Sequence, residues 1–190
     1  MNPLHVMVDI ECLDTRSEAV ILSIGAAKFP LLETGSILLP ARERYETFYT
    51  NISIDSSMRA GCTVQGKTIK WWLQQSEFAR ERLFRDPEPI GLRDALSQFR
   101  GWYGEPKLTW SHGSNFDLTI LDSAYALYDQ LPPWRYKDVR DTRTLFWLAH
   151  TLRGTNRELM LRPGTKHDAL EDALHQATWV QEAYRILMDG

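Results

Sequence analysis

Only two cysteines occur in this sequence, Cys12 and Cys62, and neither stands in a zinc-type spacing. That excludes a disulfide framework and a cysteine-built metal site, and both thiols are expected to be reduced and at least half-buried. The N-terminus lacks the basic stretch and long apolar run of a secretion signal, and no apolar run reaches membrane-spanning length. A cytoplasmic protein with no membrane partner is the expectation. Positive charge is not in excess either: the net charge of −3 argues against a protein that wraps duplex DNA. It leaves room for an enzyme that grips a few phosphates locally. Internal repeats, low-complexity tracts and interdomain linkers are also missing, and 190 residues suffice for a proper core, so residues 1–190 read as one domain.

The remaining composition, 43% hydrophobic and 25% charged, is that of an ordered globular chain rather than a disordered one. The first third has strand character. One strand is expected near Leu4–Ile10, a second near Val20–Phe29 and a third around Tyr45–Ile52, with Gly35 and Pro40 in the connection before the third. The middle turns helical, near Thr68–Leu73, Ala79–Phe84 and Gly91–Tyr103, where Leu92, Ala95, Leu96 and Phe99 repeat at helical spacing. Leu108–Trp110 is a short strand. Helices follow near Phe116–Tyr128 and Thr142–Leu152, and a last one from about Lys166 to Leu187. Strands first, then helices with one or two strands among them, predict a mixed sheet flanked by helices.

Asp9 and Glu11 are the residues that ask for a function. They lie two apart in a run whose apolar members Val6, Val8 and Ile10 alternate, so both carboxylates leave one face of a strand. Two like charges held together are unfavourable unless a cation lies between them. The alternative is the solvated face of an edge strand. Asp117 is a third acid, and Ser114 with Asp117 also fits a capping box at a helix start. Thr165 and Asp168 repeat that pattern before the last helix, which makes Asp168 the better capping candidate. His167 and Asp172 are five apart, about 140° on an ideal helix. To serve one site, His167 must lean in from the turn before the helix.

Asp9-Ile10-Glu11, Ser114-Asn115-Phe116-Asp117 and His167-x-Ala169-x-x-Asp172, in this order, resemble the three motifs of the DnaQ-like 3′–5′ exonucleases of the DEDDh type. The stretches at 20–26, 70–76, 140–145 and 164–170 are similar to the exonuclease VIII-like and mycobacterial exoribonuclease-like branch, and the likeness spans nearly the whole chain. Leu13 and Asp14 stand where relatives often have a glycine near the turn.

The resemblance implies an α/β, RNase H-like fold with a five-stranded mixed sheet and helices on both sides. It implies two divalent cations, Mg²⁺ or Mn²⁺, on Asp9, Glu11, Asp117 and Asp172, whose hard oxygens suit such ions. Such a pair activates a water and stabilises the leaving 3′ oxygen of a phosphodiester. His167 would be the general base, since imidazole titrates near neutrality. The substrate would be single-stranded or 3′-tailed DNA or RNA. Candidate contacts are Cys12 and Leu13 against the terminal nucleotide, Ser114 and Asn115 on sugar or phosphate, Trp72 (or Trp71) as a stacking ring, and Lys166 with Arg153, Arg157 and Arg162 as local positive charge. A homodimer through exposed aromatics at Tyr45–Tyr49 or Trp134–Tyr136 is a further expectation. Two other functions fit the same residues less closely: an RNase H- or resolvase-like endonuclease, and a catalytically silent nucleic-acid-binding module.

Overall fold

The structure, a computed structural model, describes residues 4–32, 41–85, 88–154 and 166–188. In chain order its elements are β1 (Leu4–Cys12), β2 (Ile21–Pro30), α1 (Ala41–Arg44), β3 (Glu46–Asn51), α2 (Ile54–Arg59), α3 (Gly66–Trp72), α4 (Glu77–Phe84), α5 (Leu92–Tyr103), β4 (Thr109–Ser111), α6 (Asp117–Ala126), β5 (Val139–Asp141), α7 (Thr142–Arg153) and α8 (Ala169–Met188). The strands form one sheet in the order β3-β2-β1-β4-β5. β1 runs antiparallel to β2, and β2 to β3, while β1/β4 and β4/β5 are parallel. This is the five-stranded mixed sheet expected from the sequence. β1 lies at its centre, which removes the edge-strand explanation of Asp9 and Glu11.

Alternation along β1 divides the core in two. Val6, Val8, Ile10 and Cys12 pack on one face with Leu96 and Phe99 of α5 and Leu118 and Leu121 of α6. Met7 packs on the other with Phe29, Trp110 and the α8 residues Leu170, Leu174 and Ala177. Helices therefore cover both sides of the sheet. Asp9 and Glu11 continue the Met7 row, so they leave the sheet on the α8 side.

Several expectations need correction. β5 is only three residues long, too short to stand out by periodicity, and α1 and α2 have only four and six residues. The last helix begins at Ala169, not Lys166. Asp168 is the reason: its carboxylate accepts the N–H groups of Leu170 (3.0 Å) and Glu171 (3.1 Å), so it caps the helix from outside. Thr165, its supposed partner, lies outside the described residues, as do Gly35, Pro40, Arg157 and Arg162. The two aromatic segments offered for a homodimer are largely covered. Tyr45 is buried against Phe29 and Trp134 against Phe99, Tyr103 and Tyr125. Of the aromatic residues in those segments only Tyr136 stands exposed, while Phe48 and Tyr49 are half-buried. No helix among the described residues is long and apolar enough to cross a membrane.

Candidate active site

The site begins with a glycine. β2 sets Gly25 opposite Asp9. A Cβ at Gly25 would stand 2.1 Å from the carbonyl carbon of Ala169 and 2.2 Å from the nitrogen of Leu170. Only a residue without a side chain lets the first turn of α8 lie this close to the sheet. α8 then carries Asp172, and one turn further Gln176, over β1. Gln176 Nε2 donates to Asp9 Oδ1 at 2.8 Å. Neither Gly25 nor Gln176 was among the expected site residues. The signal available for Gln176 was its place four residues after Asp172, on the same helix face.

His167 lies before α8 with φ +63, a left-handed conformation that costs a non-glycine residue about 1–2 kcal/mol. Its backbone N–H donates to Asp172 Oδ2 at 3.0 Å. The Trp71 ring meets its imidazole edge-on, with centroids 4.8 Å apart. The turn thus does what an ideal helix cannot, and brings both side chains to one place. Ligating atoms of Glu11, His167 and Asp172 all lie within 4.8 Å of one another. Two carboxylates and an imidazole at that spacing suit a divalent cation. Asp9 and Asp117 are not part of this set of three: Gln176 donates to Asp9, and Asp117 takes the Ile10 N–H.

Asp117 opens α6, but no capping box forms. The N–H and hydroxyl of Ser114 instead donate to Asp141 Oδ2, at 2.8 and 3.3 Å. Asp117 is 4% exposed. Burial pushes its carboxyl up to about 7, against the opposing pull of the Ile10 N–H and the charge of Arg143. β1 pairs with β4 only at Val6 and Met7, so the later part of β1 is open on that side and Ile10 is available to Asp117. Cys12 sits among the acids. Burial first, then the carboxylates of Glu11, Asp117 and Asp9, push its thiol up to about 12, so it stays a neutral packing group.

A cavity of about 430 Å³ adjoins these residues, within the usual range of small-ligand clefts (~300–1,000 Å³). Glu11, Cys12, Lys67, Trp71 and Phe116 are in its wall. Cys12 is where the sequence suggested. Leu13 is not: it is 5% exposed and faces a second, apolar cavity. The strand exit that lacks the usual glycine is held by Asp14, whose carboxylate accepts from the Thr15 and Arg16 N–H groups, the Arg16 guanidinium and the Thr63 hydroxyl. Trp72 is a correction too. At 2% exposure, with Nε1 donating to the Cys12 carbonyl at 3.0 Å, it supports the end of β1 and presents little surface to a base. Both rings line the cavity, and Trp71, 41% exposed, is the more open of the two. Ser114 is occupied by Asp141, while Asn115, Arg153 and Lys166 are exposed.

A family model described as the 3′–5′ exoribonuclease Rv2179c-like domain matches residues 4–184. The nuclease domain of 3′hExo, described as a DEDDh family member bound to rAMP, superposes with a TM-score of 0.63 at 15% identity, covering 100% of this chain and 94% of that one. Cell-death related nuclease 4 (CRN-4) gives 0.65 at 11% identity, with 100% of this chain and 65% of that one. E. coli exonuclease I in complex with a dT13 oligonucleotide gives 0.63 at 12%, with 99% and 43%. The chain thus spans less than two thirds of CRN-4 and under half of exonuclease I. At these identities the likeness speaks for the fold. Among curated proteins none matches the sequence.

Proposed function

The chain belongs to the Rv2179c-like 3′–5′ exoribonuclease domain family, and from this we propose that residues 1–190 act as one domain that removes nucleoside monophosphates from a single-stranded 3′ end. Metal-dependent 3′–5′ exonuclease activity is the family's chemistry. The assignment of its parts to Asp9, Glu11, Asp117, His167 and Asp172 is our own reading. The observation that carries it is the convergence of Glu11, from the central strand, with His167 and Asp172, from the last helix and its preceding turn, beside a cleft.

Each residue then has a defined task. Asp9, Glu11, Asp117 and Asp172 would hold two divalent cations, Mg²⁺ or Mn²⁺, which when bound lower the pKa of a water and offset charge on the departing 3′ oxygen. Gln176 keeps Asp9 in one orientation. Asp172 takes the His167 N–H and so fixes the turn from which the imidazole accepts a proton from the attacking water. Trp71 packs against the terminal base, and Phe116 and Cys12 line the same cleft. RNA is placed ahead of DNA on the family's description.

Incubating 5′-labelled RNA and DNA of one sequence with Mg²⁺ or Mn²⁺ tests this. A descending ladder, faster on RNA, is expected. Asp9→Ala should abolish it, and His167→Ala should lose most turnover while a cation still raises the melting temperature. A single internal product would instead indicate an endonuclease, and full turnover by His167→Ala would remove the general base.

A further inference from the structure

Arg143 is in the first turn of α7, next to the capping residue Asp141, and that turn holds no acidic residue. A cation is disfavoured there by the helix dipole, by about 0.3–1 kcal/mol. Folding therefore gives no reason for an arginine at this position. The side chain is exposed, and among the described residues its guanidinium has no hydrogen-bond or ion-pair partner; the backbone N–H donates to Asp141 Oδ1 at 2.8 Å.

The guanidinium nevertheless has a seat. A Cβ on Gly113 would be 2.8 Å from Arg143 Nη1, 3.0 Å from Cζ and 3.2 Å from Nη2, so three atoms of the group lie along the glycine. Gly113 also has φ +106, which residues with side chains rarely adopt. Glycine here makes the turn and leaves room for the arginine. Asp141 ties the pieces into one unit by accepting from Ser114 and from the Arg143 backbone. The charge of Arg143 reaches Asp117 without an ion pair forming. An exposed cation held beside an acidic cluster is placed to meet an anion, and the planar fork of a guanidinium matches phosphate.

We propose that Arg143, seated on Gly113, binds a phosphate of the nucleic-acid strand beside Asp117; this rests on the exonuclease reading above. The test compares wild type with Arg143→Gln and Arg143→Lys on a single-stranded oligonucleotide over a range of NaCl concentrations. For Arg143→Gln, kcat/KM should fall about ten- to a hundredfold at low salt, as for loss of a charged hydrogen-bonded pair, with unchanged thermal melting. Its slope of log kcat/KM against log[NaCl] should be shallower by about 0.7, the counterion released by one single-strand phosphate contact. Arg143→Lys should keep the wild-type slope. Parallel salt lines for wild type and Arg143→Gln would overturn the proposal, because a purely structural arginine leaves the slope alone. If wild type releases no nucleotide, it is the exonuclease reading that fails. Anisotropy binding of the same oligonucleotide then decides on Arg143, by the same difference in slope or its absence.

Discussion

Asp117→Asn separates the electrostatics of the site from its packing. The carboxyl is buried, and its pKa is pushed from 3.8 to about 7. A folded chain that binds a proton more tightly than the unfolded chain is most stable at low pH. Below 3.8 both states are protonated and nothing is lost; as pH rises from 3.8 through about 7, stability declines. At about 1.4 kcal/mol for each pKa unit, the metal-free protein is destabilised by roughly 4 kcal/mol above pH 7. Asparagine has the same shape and still offers the Ile10 N–H an acceptor, but it cannot ionise. Urea unfolding in EDTA, followed by tryptophan fluorescence, should find the two proteins alike at pH 4. At pH 8 the variant should be more stable by about that amount. Adding Mg²⁺ should then stabilise wild type and not the variant, because a cation that binds only the folded site offsets the cost of the buried charge. Curves that track each other from pH 4 to pH 8 in EDTA would refute the reasoning.

Two further substitutions probe the walls of the site. Gly25→Ala forces a methyl group to 2.1 Å from the Ala169 backbone. Overpacking commonly costs about 1–3 kcal/mol, and a backbone obstacle puts this variant at or above the upper end. Melting temperature and turnover should fall together, and a variant with wild-type melting would mean that α8 does not depend on the gap. Trp71→Ala should raise KM by the loss of one stacked base, about 1–3 kcal/mol, with little change in melting. Trp72→Ala should do the reverse, losing about 3–5 kcal/mol of stability. Michaelis–Menten kinetics and thermal melts on both variants check the pair, and an unchanged KM for Trp71→Ala would place the base elsewhere.

Long periodic segments were legible directly. β1, β2, α5 and α8 appear within a few residues of where alternation and helical spacing put them, since their patterns repeat over nine residues or more. Of the two three-residue strands, β4 lies within one residue of the expected Leu108–Trp110, while β5 exists only as a partner of β4 and so leaves little mark of its own. Misplaced substrate contacts share one cause. Trp71 and Trp72 are adjacent on α3, and nothing local to them says which ring meets the core and which meets the cleft. Leu13, likewise, follows the acidic pair in sequence yet turns away from the cleft, because Asp14 bends the chain onto Thr63.

By itself, the sequence determined the chemistry on offer: an acidic pair on one strand face, a third acid at the head of a helix, and a histidine with an aspartate near the end, in an order that resembles a nuclease family. Those are properties of residue type and spacing, which the chain carries whether folded or not. Only the tertiary structure decided how they meet. Close approach is a matter of distances between segments far apart in sequence. It depends on the absence of a Cβ at Gly25, on a left-handed turn at His167 and on Gln176 reaching back to Asp9 across more than 160 residues. None of these can be read from the neighbours of the residues involved, because each is set by what packs against it.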